Sequence, residues 1–198
     1  MRHIVQNTLK AAVTFEGTGL HSGKPAKMIA RPAPAEHGIT FMRTDIALGN
    51  TLIPARWDMV ERTALCTRLV NGAGVSVSTV EHIMAALAGC GIHNARVEID
   101  GPEVPIMDGS SAEFVRKMMA TGIRRLGVPV RAWKVLKPVM VETEDARATL
   151  LPCDRLKISF DIEFAEEGIG HQSRELDLRN GTFARELCDS RTFCRRSD

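Results

Sequence analysis

Ser78-Thr79-Val80-Glu81-His82-Ile83-Met84-Ala85-Ala86-Leu87-Ala88-Gly89-Cys90-Gly91 is the stretch on which the reading of the chain turns. Val80, Ile83, Met84 and Leu87 recur at i, i+3, i+4 and i+7, the spacing of one apolar stripe on an amphipathic helix. Ser78 and Glu81 have the spacing of a capping box, and Gly89 and Gly91 are natural stops. Glu81-His82 does not belong to a packing stripe. It sets a carboxylate and an imidazole in the first turn, about 100° apart around the axis, and at a helix start both can reach the space beyond the end. A neutral imidazole binds metal well, and a neighbouring carboxylate that is not a ligand can take a proton from a metal-bound water. A structural role fits the same residues, with Glu81 capping the helix and His82 hydrogen-bonded under a loop. Taken alone, the dipeptide favours that structural role.

Outward from this helix the pattern is mixed α+β. Residues 9–16 alternate loosely and predict a first strand, followed by the turn Gly17-Thr18-Gly19-Leu20-His21-Ser22-Gly23. That turn lacks the Lys-Ser/Thr ending of a phosphate loop, and His21 within it is a candidate site residue. Lys27 to Arg31 and Gly38 to Arg43 predict two more strands, separated by a loop over Arg31-Pro32-Ala33-Pro34-Ala35 that proline keeps out of regular pairing. Residues 64–70 predict another strand, closed by the hairpin signal Asn71-Gly72. Beyond the helix, Ala95, Val97 and Ile99 alternate with Arg96, Glu98 and Asp100, as in a half-buried strand. After the loop 101–111, Ser111 is a candidate cap for a second helix that faces Phe114, Val115, Met118 and Met119 inward.

Residues 121–128 carry Gly122, Arg124-Arg125 and Gly127, with Pro129 just beyond, and read as a boundary. Strands are predicted at 133–142, 148–151 and 156–164. In the last, Leu156, Ile158, Phe160, Ile162 and Phe164 alternate strictly with polar residues. A turn at 166–170 and a short helix at 182–189 complete the prediction. Strands precede a helix in both halves, a faint internal echo.

Composition narrows the function classes. The 198 residues are 44% hydrophobic and 25% charged, with net charge +2 and 5% aromatics. A nucleic-acid surface needs a basic stripe and stacking aromatics, which argues against an RNA-binding α+β domain. No run approaches the roughly 18 apolar residues of a membrane span, and the start has no signal-peptide core. Five cysteines without a C-x-x-C favour reduced thiols in a cytoplasm.

Seven segments then come in a telling order: residues 17–23, 31–35, Arg43-Thr44-Asp45, Ser78 to His82, Ala85 to Gly89, Pro105-Ile106-Met107-Asp108-Gly109-Ser110 and Ser190-Arg191-Thr192-Phe193. Together they resemble the UDP-3-O-acyl-N-acetylglucosamine deacetylase family of lipid A biosynthesis. The resemblance implies an α+β fold of two similar sheet-plus-helix-layer domains (ribosomal protein S5 domain 2-like), over 1–126 and 127–198, the second incomplete, with the active site between them. It implies a cytoplasmic zinc amidohydrolase that releases acetate from a UDP-linked acylated amino sugar, monomeric when complete, without nucleic-acid partner or stable membrane insertion. Carried over by residue, Glu81 is the base, His82 one of three Zn2+ ligands and Thr192 the oxyanion donor. Phe193, Leu65, Cys66 and Leu20 border the substrate, and His21 and Asp108 shape the site. The dipole at a helix start disfavours a cation by only about 0.3–1 kcal/mol, small beside the roughly 10–16 kcal/mol of structural zinc sites.

The family's other two zinc ligands and its general-acid histidine lie in motifs that this sequence does not contain. The resemblance therefore implies the N-terminal two-thirds of a longer enzyme, with the 198 residues alone binding zinc poorly and hydrolysing little. The alternative is a non-catalytic relative that binds a UDP-sugar or a protein.

Overall fold

The alternation at residues 95–99 becomes the middle strand of a five-stranded sheet. The computed structural model describes residues 4–166, 168–179 and 181–193. In chain order the strands are β1 (Val5–Leu9), β2 (Val13–Thr18), β3 (Pro25–Pro32), β4 (Ile39–Arg43), β5 (Leu52–Pro54), β6 (Val60–Glu61), β7 (Arg68–Val70) and β8 (Ser76–Val77). Helix α1 (Glu81–Gly89), β9 (Ala95–Ile99), helix α2 (Ala112–Thr121) and β10 (Ile123–Pro129) follow. The last strands are β11 (Val139–Glu142), β12 (Arg147–Leu150), β13 (Lys157–Glu163) and β14 (His171–Asp177). The chain divides into two compact units: the described residues of Met1–Val130 and Ala184–Asp198, and those of Arg131–Phe183.

In the first unit the main sheet runs β2-β3-β9-β4-β5, antiparallel except for β4 beside β9. Register sets Val13, Ala30, Val97, Phe41 and Ile53 in one row across all five strands, and each is buried. A slip of one residue would turn that row to solvent, so burial fixes the register. The helices contribute Ile83 and Leu87 from α1 and Phe114 and Met118 from α2, all fully buried. The Phe114 ring meets Phe15 of β2 at 4.9 Å between centroids. The opposite sheet face is mixed: Ile29, Met42 and Leu52 share a row with Thr14 and Glu98, and Glu98 lies between Arg31 and Arg96 at 2.6 and 3.0 Å. At the end of α1, Gly91 takes φ 67°. Its amide reaches the Ala88 carbonyl and the Ile92 amide that of Leu87, a Schellman closure.

Several local expectations give way to tertiary partners. Residues 9–16 are not one strand: Lys10 to Ala12 turn the chain between β1 and β2. Pro32 stays within β3, opposite Ala95. Only Arg68–Val70 of the predicted 64–70 strand is extended, and it leads into the expected hairpin to β8. Met119, expected inside, is 54% exposed because Phe114, Val115 and Met118 already fill the buried face of α2. Ser111 makes no side-chain cap; the Ser110 hydroxyl accepts the Ala112 amide instead. Residues 123–129, read within a breaker-rich boundary, form β10 because β1 pairs with them.

The unit Arg131–Phe183 holds two hairpins, β11 with β12 and β13 with β14, and no α-helix among its described residues. β14 escaped the sequence reading because His171-Gln172-Ser173-Arg174-Glu175 shows no apolar alternation. It is extended because β13 pairs with it over seven residues. The alternation of β13 is present, yet Leu156, Ile158 and Phe160 are 64%, 39% and 40% exposed. The short C-terminal helix is a π-helical turn over Phe183–Leu187.

The buried row makes a direct test. Phe41→Ala should cost about 3–5 kcal/mol in urea unfolding. Leu52→Ala, at a half-exposed position on the neighbouring strand, should cost under about 1 kcal/mol.

Candidate active site

Helix α1 starts without the predicted capping box. Val80 stands at the N-cap in helical conformation, and no side chain caps the helix. Ser78 is engaged through its backbone, its amide on the Pro102 carbonyl at 2.9 Å and its carbonyl on the Val104 amide at 3.0 Å. Thr79 then turns the chain at φ 58°, a conformation β-branched residues rarely adopt. Glu81 instead accepts the Thr67 amide through Oε2 at 3.1 Å, while the Val80 amide donates to the Thr67 carbonyl at 3.3 Å. This exchange holds the 65–67 segment beside the helix start, with Leu65 exposed and Cys66 half-buried.

Glu81 and His82 are both half-buried, so neither is sealed in the core. The His82 carbonyl accepts the Ser111 hydroxyl at 2.9 Å, which ties α1 to the loop before α2. Met107 at φ 55° and Gly109 at φ 82° shape that loop. The Gly109 carbonyl accepts the Thr192 amide at 2.9 Å, and the Cys188 carbonyl accepts the Ser111 amide at 2.9 Å. Asp108 accepts the Ser110 hydroxyl at 2.7 Å and meets Arg191 at 3.2 Å. The Ser110 hydroxyl chiefly holds the Asp108 carboxyl below its ordinary pKa against burial, with the Ser110 amide and Arg191 adding to it. Thr67 thus links Glu81 to Cys66, Gly109 links Asp108 to Thr192, and Ser110-Ser111 joins the two groups through the His82 carbonyl. Phe193, exposed, follows Thr192 in the chain.

Leu20 and His21 project from the 18–24 turn, both exposed. Their turn is anchored by Glu103, a residue the sequence reading passed over. Glu103 is 3% exposed. It accepts the His21 amide at 2.9 Å, the Ser22 amide at 2.8 Å and the Thr79 hydroxyl at 2.9 Å. Burial pushes its pKa up, but the bonds from His21, Ser22 and Thr79 outweigh it and leave the carboxyl below the usual range. The signal was an acid set among Pro102, Val104 and Pro105, where a carboxylate must find donors elsewhere in the chain.

Catalytic zinc keeps three protein ligands and one open position. Among the described residues, no three His, Cys, Asp or Glu side chains cluster so as to hold a metal ion. These residues by themselves do not fit a zinc centre, and His82 would be a single donor.

The sequence profile of the UDP-3-O-acyl N-acetylglycosamine deacetylase family, LpxC, matches residues 6–198, and the chain belongs to that family. The UDP-3-O-acyl-N-acetylglucosamine deacetylase of Phenylobacterium zucineum (strain HLK1) is 44% identical over 188 residues, covering 95% of this chain and 64% of that protein. The enzyme of that name from Myxococcus xanthus (strain DK1622) is 46% identical over 188 residues, covering 95% and 59%. That of Shewanella frigidimarina (strain NCIMB 400) is 41% identical over 192 residues, covering 96% and 62%. The chain thus spans about three fifths of the length of these relatives. No helix among the described residues is long and apolar enough to cross a membrane.

Two outcomes check the Glu103 anchor. A Cβ at Gly19 would collide with the Glu103 carboxylate and the Ser22 hydroxyl, whereas one at Gly72 meets nothing. Gly19→Ala should cost about 1–3 kcal/mol in urea unfolding, and Gly72→Ala under about 0.5 kcal/mol. Because the folded-state pKa of Glu103 is depressed, its contribution is complete above the ordinary value of 4.5 and is lost as pH falls below it. Unfolding free energy measured from pH 7 downward should decline in that window, and more shallowly in Glu103→Gln.

Proposed function

We propose that this chain is the N-terminal portion of a zinc-dependent deacetylase. The whole protein would remove acetate from a UDP-linked 3-O-acyl-N-acetylglucosamine in lipid A biosynthesis, in the cytoplasm and as a monomer. The observation that carries this reading is Glu81-His82 at the start of α1, bonded through Ser111 to the loop that holds Thr192, in a member of the deacetylase family. The wider reading keeps two similar ribosomal protein S5 domain 2-like domains, divided near residues 126 and 127, the second completed by sequence outside these 198 residues.

The reaction is hydrolysis of an acetamide. Glu81 takes a proton from the attacking water and can pass it on, which suits a carboxylate that, among the described residues, is held by the Thr67 amide. The Thr192 hydroxyl donates to the oxyanion as the carbonyl becomes tetrahedral, its backbone held by Gly109. His82 would supply one nitrogen ligand, and the full-length protein would supply the other two from sequence outside these 198 residues. A zinc ion held there would supply Lewis acidity that makes water nucleophilic near neutral pH. Leu65, Cys66, Leu20, His21 and Phe193 border the sugar nucleotide, and Asp108 holds the loop that carries Thr192.

The test compares the 198-residue chain with the full-length protein. The short chain should carry far less than one zinc per molecule by plasma emission analysis and release little acetate. In the full-length protein, Glu81→Ala should lower turnover by at least about 10²-fold with zinc content retained, and His82→Ala should lower both. Full turnover in Glu81→Ala would overturn the reading, and UDP-sugar binding without acetate release would identify a non-catalytic relative.

A further inference from the structure

We propose that Glu103 is a positioning residue for this site, holding the Glu81-His82 start of α1 through Thr79 and the His21 turn through the His21 and Ser22 amides. The proposal rests on the reading of Glu81 as the base.

The geometry is specific. Pro102 and Val104, on either side of Glu103, both bond the backbone of Ser78, so the 102–104 segment lies along the approach to α1. The next residue, Thr79, is 1% exposed and left-handed at φ 58°. A β-branched residue holds that conformation only where its surroundings enforce it, and its hydroxyl lies 2.9 Å from Glu103 Oε1. Val80 follows in helical conformation, and then Glu81 and His82. The two Glu103 oxygens also take the amides of His21 and Ser22, and Gly19 leaves the room this requires. One carboxylate therefore sets the angle at which α1 begins and the seat of the neighbouring turn. It acts through Thr79 and the backbone, and it is not itself a reacting group.

A neutral amide at this position keeps the size of the side chain but places an N–H against one of three donors. Misplacement of a reacting group by about 1 Å can cost about 10²-fold, so the effect belongs in kcat. In the full-length protein, Glu103→Gln should lower kcat by about tenfold or more, with zinc content unchanged. Thr79→Val should do the same, the double variant should be no worse than either single one, and Thr79→Ser should keep most of the rate. In the 198-residue chain, the ring resonances of His82 and the amide resonances of His21 and Ser22 should all shift in Glu103→Gln. A kcat within twofold of the parent beside a lowered melting temperature would overturn the proposal, as would independent losses that multiply. Unmoved His82 resonances would overturn it too. The NMR arm needs no turnover, so failure of the deacetylase reading would be visible separately, as full activity in Glu81→Ala.

Discussion

A buried carboxylate must be met by donors, and the fold around the candidate site is arranged to meet one. Glu103 gathers the amides of His21 and Ser22 and the hydroxyl of Thr79 from two distant segments. Stranding a buried charge costs about 3–5 kcal/mol, a sizeable part of the roughly 5–15 kcal/mol that holds a domain folded. The glycine-rich turn, the bend at Thr79 and the exit from β9 therefore have to form together. Gly19 and the left-handed Thr79 are consequences of that demand.

The far side of the site is secured differently. Asp108 and Arg191 form an ion pair, but their side chains are 40% and 67% exposed, and such pairs contribute about 0–1 kcal/mol. The bonds that locate Thr192 and the helix start are those of the backbone and of a buried hydroxyl, Thr192 to Gly109 and Ser111 to His82. They persist at salt concentrations that would screen Arg191. Positioning here depends on close hydrogen bonds and turn geometry more than on surface charge.

Much of the fold was legible where the signal is local. The stripe on α1, its glycine stop and the alternation of β9 need only a short window, and all three form. What failed depended on partners far along the chain. Ser78 and Glu81 match a capping box, but Ser78 is bonded to Pro102 and Val104, and Glu81 to Thr67. Residues 123–129 carry no strand signal of their own and form β10 because β1 pairs with them, and β14 is a strand only because β13 lies beside it. The site divides in the same way. Glu81 and His82 stood out through an odd residue pair at a helix start, and Asp108 and Thr192 through family resemblance. Glu103 stayed hidden because two of its three partners are backbone amides, which leave no mark in the sequence.

In the proposed site the start of α1 presents His82 to a metal and leaves Glu81 free to move a proton. Anomalous scattering at the zinc edge, from crystals of the full-length protein, would locate that metal. Zinc should lie about 2.0–2.1 Å from a His82 ring nitrogen, with the Glu81 carboxylate outside the coordination shell. Zinc bound away from His82, or coordinated by Glu81, would contradict it.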